Sequence, residues 1–151
     1  MVLYLSIVLM IILVSRGVAY WAVSLLKGAD IPLITDVLYL SYVENRGAAF
    51  GIFQNAKVFL IGVSILLFLL ITYYVVSKGK SLKKHLLIPL GMIAGGGISN
   101  VADRFSFGFV VDYIDFRLIH YPVFNLADIC VVVGVFWVAF CILFSKDTKK
   151  Q

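Results

Sequence analysis

Four stretches of this chain, about 2–26, 58–76, 86–104 and 126–144, are apolar over close to the length that crosses the hydrocarbon core of a bilayer. Backbone in lipid must satisfy its own hydrogen bonds, so each stretch reads as a helix. With 62% hydrophobic and 14% charged residues, a chain of 151 residues has too little interior to hide this surface from water. The expected class is an all-α membrane protein with four transmembrane helices in one domain, 1–151. The third run is the least regular, because it is rich in glycine and ends in Asp103 and Arg104. The first lacks the basic leader and small-residue cleavage pattern of a signal peptide, and Ser15 and Arg16 interrupt it, so it reads as a retained anchor.

The formal net charge is +5, and the excess is local. Lys78, Lys80, Lys83 and Lys84 lie between the second and third runs, and Lys146, Lys149 and Lys150 lie in the tail. Basic clusters beside apolar runs read as topology rather than as nucleic-acid binding. They place that link and both termini in the cytoplasm, and the links 27–57 and 105–125 outside. In the first outer link, Val37-Leu38-Tyr39-Leu40-Ser41-Tyr42-Val43 is rich in β-formers and predicts a short strand or hairpin. Gly47 and Gly51 would permit this link to move as a lid. Cys130 and Cys141 both fall in the last run and read as packing residues. No cluster has zinc-ligand spacing and no glycine loop cradles phosphate, so no metal or cofactor is expected.

Against this apolar background two acids stand out, Asp112 and Asp128. An ionisable group at a membrane boundary is costly and marks a task. Two carboxylates in reach of one another point to acid–base chemistry on water, with one proton held between them. Which member holds it stays open. Asp128 also opens the fourth run, where it would cap a helix. Asp115 reads as exposed or paired with Arg117. In Ser99-Asn100-Val101-Ala102-Asp103-Arg104, helical spacing puts Asn100, Asp103 and Arg104 on one stripe. Asn100 and Arg104 read as substrate contacts there, and Asp103 as a structural residue, with mutual neutralisation by Arg104 as one form of that role. Gly91, Gly95, Gly96 and Gly97 serve close helix packing, room for a substrate helix, or both. Tyr113, Phe116, Tyr121 and Phe124 read as aromatic-belt residues. Arg16, deep in the first run, needs an acid such as Asp103 or Asp36.

These residues together resemble the lipoprotein signal peptidase (signal peptidase II) family. The segments are Glu44-Asn45-Arg46-Gly47-Ala48-Ala49-Phe50-Gly51, Gly96-Gly97-Ile98-Ser99-Asn100-Val101-Ala102-Asp103-Arg104, Gly108-Phe109-Val110-Val111-Asp112-Tyr113-Ile114-Asp115 and Pro122-Val123-Phe124-Asn125-Leu126-Ala127-Asp128. The resemblance implies an intramembrane aspartyl endopeptidase of the bacterial inner membrane. Such an enzyme removes signal peptides from diacylglyceryl-modified prolipoproteins, cutting on the N-terminal side of the lipidated cysteine. It implies Asp112 and Asp128 as the catalytic pair and Asn45, Asn100, Arg104 and Asn125 as substrate contacts. Asp103 and Gly47 become supporting residues, and the first outer link becomes part of an extracytoplasmic β-cradle. Membrane lipid as a partner, a monomer without nucleic acid, and sensitivity to globomycin-type inhibitors follow from the same resemblance. The family's first-span Asp and Lys, four residues apart, are here Ser15 and Ala19. Two other readings remain: a polytopic transporter whose acids relay protons or bind cations, and a family member that binds lipoprotein signals but cleaves slowly.

Overall fold

The computed structural model describes residues 1–48 and 52–144. Ala49, Phe50 and Gly51 of the first motif, and the tail lysines Lys146, Lys149 and Lys150, lie outside the described residues. Each apolar run is one helix: α1 Val2–Leu25, α2 Lys57–Lys78, α3 Lys84–Ser106 and α4 Leu126–Phe144. All four are long and apolar enough to cross a membrane. The links at one end of the bundle supply β1 Ile31–Ile34, β2 Leu38–Asn45 and β3 Val110–Phe116, an antiparallel sheet in the order β1-β2-β3. The lysine-bearing turn between α2 and α3 lies at the other end. The predicted hairpin is β1–β2. The third strand, which carries Asp112, comes from the second link, where the sequence reading expects none.

The central helix is α3, with half of its apolar window buried against 6% for α2. Glycine sets how closely its neighbours approach. At Gly91 a Cβ would stand 2.9 Å from the Ile7 side chain, and at Gly95 it would stand 3.1 Å from the Val8 carbonyl oxygen, so this pair seats α1. At Gly96 a Cβ would stand 2.4 Å from the Ala127 carbonyl oxygen, so Gly96 seats α4. Gly97 meets nothing within 4 Å and faces a cavity. Packing and room are therefore divided between neighbouring glycines.

The same substitution should then have opposite consequences one residue apart. Gly96→Ala drives a methyl into backbone and should cost about 1–3 kcal/mol, the usual scale of overpacking. Gly97→Ala should leave the melting temperature unchanged or slightly raised, since alanine is the better helix former. Thermal melting of the two variants in detergent checks this. Equal losses would mean that α4 does not rest on Gly96.

Two apolar clusters hold the bundle. One joins Tyr4 and Val8 of α1 to Val75 of α2 and to Leu87, Leu90 and Ala94 of α3, with Tyr4 Oη and Thr72 Oγ1 2.8 Å apart. The other lies under the sheet, where Ala19, Ala22 and Leu26 meet Val111 and Tyr113. Tyr113 is thus a core residue rather than a member of an aromatic belt. Strand alternation puts Asp112, between these two, on the opposite face.

Candidate active site

Asp112 reaches the site because β3 is held on both edges. On one edge it pairs with β2, with Val43 opposite Asp112 and Asn45 opposite Val110. On the other, the Tyr113 and Ile114 amides donate to the Phe124 carbonyl at 3.1 and 2.8 Å. That contact brings the start of α4 beside Asp112. The Tyr113 hydroxyl reinforces it by accepting the Leu126 N–H at 3.0 Å.

Asn125 then caps α4. Its Oδ1 accepts the Asp128 N–H at 3.0 Å, while Asp128 Oδ2 accepts the Asn125 N–H at 3.2 Å. This is a reciprocal capping box. Asp128 therefore takes part in the cap and still turns its other oxygen toward Asn100, because a carboxylate has an oxygen for each. Asp128 Oδ1 accepts from Asn100 Nδ2 at 2.8 Å. Asn125 Nδ2 serves both Asp112 Oδ1 (2.7 Å) and Asn100 Oδ1 (3.2 Å). Asn45 Nδ2 donates to Asp112 Oδ2 at 2.8 Å. Two carboxylates and three amides thus form one network drawn from β2, α3, β3 and α4.

Asp112 is 1% exposed. Burial pushes its carboxyl up to about 7, the Asp128 charge adds to the rise, and the Asn45 and Asn125 hydrogen bonds oppose it. Near neutral pH the Asp112 carboxyl is therefore poised between its protonated and ionised forms.

Among the described residues the ion pair of Asp103 is with Arg16, not with Arg104. Adjacent helical residues point in different directions. Arg104 Nη2 donates to the Gly47 carbonyl at 2.7 Å, and the Gly47 N–H donates to Asn45 Oδ1 at 2.9 Å. A Cβ at Gly47 would stand 2.7 Å from the Ile52 carbonyl oxygen, so a side chain does not fit that turn. Asp103 turns instead toward α1 and pairs with Arg16. The expected stripe therefore splits, with Asn100 and Arg104 in the site and Asp103 behind it. Of the two acids considered for Arg16, Asp103 is the partner. Asp115 pairs with Arg117 at 2.7 Å, as expected.

Asn45, Asn100, Arg104, Asp112 and Asp128 line one end of a cavity of about 550 Å³ between α2, α3 and α4. Most of the remaining wall is apolar, with Leu67, Phe68 and Ile71 of α2 facing Ile93 and Gly97 of α3 and Val131 of α4. Among the described residues no group of three His, Cys, Asp or Glu could hold a metal ion.

Comparisons with known proteins give the family and the fold. The family model described as signal peptidase (SPase) II matches residues 7–144. The lipoprotein signal peptidase of Halothermothrix orenii is 41% identical over 95% of this chain and 95% of its own length. That of Clostridioides difficile is 40% identical over 98% of this chain and 99% of its own. A solved bacterial membrane enzyme superposes with a TM-score of 0.87 at 23% identity, covering 98% of this chain and 92% of that one, which shows the fold. A second superposes with a TM-score of 0.79 at 25% identity, over 96% and 94%.

Proposed function

The chain belongs to the signal peptidase II family, and we propose that it removes signal peptides from diacylglyceryl-modified bacterial prolipoproteins with Asp112 and Asp128 as its general acid and base. The observation that carries this reading is the network that joins the two carboxylates at the polar end of a largely apolar cavity. An apolar cleft accepts a signal helix and its lipid. The polar end receives water and the scissile bond.

In this mechanism the pair starts with one proton. The ionised carboxylate takes a proton from water, and the oxygen attacks the scissile carbonyl carbon. The protonated carboxyl donates to the carbonyl oxygen as the carbon becomes tetrahedral. Collapse breaks the C–N bond, and a proton passes to the leaving amine of the lipidated cysteine. Asp112 is the member that enters with the proton, since burial and the neighbouring charge hold it there near neutral pH. Asn45, Asn100 and Asn125 fix both carboxyls in place. Arg104 sets the Gly47 turn and brings positive charge near the developing oxyanion. The lysine turn between α2 and α3 supports a cytoplasmic orientation of that end, and with it the reading that the sheet and the pair face the extracytoplasmic side of the inner membrane.

The test is purified protein in detergent with a diacylglyceryl-modified prolipoprotein and its unmodified precursor. Mass spectrometry should find the modified substrate cut before the lipidated cysteine and the unmodified one cut far more slowly. A folded protein that cuts neither would move the weight to a binding role.

A further inference from the structure

Arg16 is an arginine roughly 14 Å inside the C-terminal end of an apolar helix, and nothing in the mechanism above uses it. A cation at that depth is expensive unless it is paired, and here the pairing is elaborate. Arg16 Nη1 bonds Asp103, and Nη2 donates to Ser106 Oγ at 3.0 Å. The guanidinium lies 4.7 Å from the Tyr20 ring centroid and 4.9 Å from that of Phe107. No residue of α1 lines the substrate cavity.

The other oxygen of Asp103 connects this cluster to the site. Asp103 Oδ2 accepts the Val111 N–H at 3.0 Å, on the residue just before Asp112. The Tyr113 N–H, just after Asp112, is taken by the Phe124 carbonyl at 3.1 Å. Asp112 is therefore bracketed by two fixed amides. One rests on backbone, and the other rests on a buried carboxylate whose orientation depends on a cation from α1.

We infer that Arg16 is a positioning residue: through Asp103 and the Val111 amide it sets where β3 presents Asp112. The inference rests on the reading of Asp112 as catalytic. Without Arg16, the Asp103 carboxylate is free to turn toward water or take up a proton, and the Val111 amide loses its fixed acceptor. A displacement on the scale of 1 Å at Asp112 is enough to slow chemistry without altering the apolar cleft.

Steady-state cleavage by Arg16→Leu, Arg16→Lys, Asp103→Asn and the Arg16→Leu/Asp103→Asn double variant tests this. Arg16→Leu should lose about 10- to 100-fold in kcat with KM nearly unchanged. Arg16→Lys should recover most of that loss. Asparagine at 103 still accepts the Val111 N–H and needs no cation, so Asp103→Asn should restore kcat to Arg16→Leu. A folded Arg16→Leu with parental kcat would overturn the inference. So would a loss confined to KM, or a loss that Asp103→Asn does not relieve. If Arg16→Leu is not recovered folded, Arg16→Gln takes its place in the same cycle and is judged in the same way. Asp112→Asn is measured alongside. If it cleaves at a near-parental rate, the catalytic reading fails. If it is slowed by about 100-fold or more while Arg16→Leu is parental, only the positioning role fails.

Discussion

Asp112→Asn slows cleavage of a diacylglyceryl-modified prolipoprotein by about 10²–10⁴-fold, and Asp128→Asn does the same, but only Asp128→Asn also lowers the melting temperature. The rate loss is the usual scale for removing a general acid or base. The difference in stability comes from what each carboxylate holds. Among the described residues, Asp112 accepts from the amides of Asn45 and Asn125, at 2.8 and 2.7 Å. Asparagine there gives up one of those bonds, yet it also removes a buried acid that is costly to ionise, and the two effects oppose one another. Asp128 takes the Asn125 N–H at the start of α4 and puts negative charge in the first helical turn. Asparagine there keeps one acceptor and turns an N–H toward the other donor, either Asn100 or the Asn125 amide, which costs about 0.5–1.5 kcal/mol, and losing the charge adds a fraction more. Single-turnover cleavage and tryptophan-monitored melting separate the two. Near-parental cleavage by either variant would remove that residue from the chemistry. Equal melting temperatures would mean that neither the Asp128 hydrogen bonds nor its charge bears on stability.

The bundle was legible because lipid leaves helices as the answer to long apolar runs. The hairpin was legible from its β-formers. The third strand was not, and its composition explains why. One face of Val110–Phe116 reads Val110, Asp112, Ile114, Phe116 and the other Val111, Tyr113, Asp115, so an acid breaks the apolar pattern on each side. The three-residue spacing of Asn125 and Asp128 reads equally well as a helix cap or as part of a site, and only the neighbouring strand shows that it is both. Arg16 announced that it needed an acid. Which acid depends on how α1 lies against α3, and that is set by Gly91 and Gly95 on a different helix. Tyr113 misled for a related reason. A tyrosine between outer-link aromatics looks interfacial until the strand turns it onto Ala19, Ala22 and Leu26.

Rising pH should lower stability up to about pH 7 and activity above it, in each case through Asp112. Its carboxyl is pushed up to about 7, against an ordinary aspartate value near 4 in the unfolded chain. From about pH 4 to 7 the folded protein therefore keeps a proton that the unfolded chain has released. The unfolded state binds fewer protons, so stability falls as pH rises through this window and levels off above about 7. The melting temperature should accordingly be lower at pH 8 than at pH 5. Asp112→Asn, which has no proton to lose, should flatten much of that slope. The rate has its own reason to fall. Once the shared proton leaves the pair, no acid remains for the carbonyl oxygen, and kcat/KM should drop about tenfold per pH unit above 7. Profiles of rate and melting temperature over pH 5–9, for the parent and for Asp112→Asn, provide the check. A rate that holds to pH 9 would mean that the pair works with both carboxylates ionised, and general-acid catalysis by Asp112 would be excluded. A parental melting slope in Asp112→Asn would place the folded state's extra proton on a different residue.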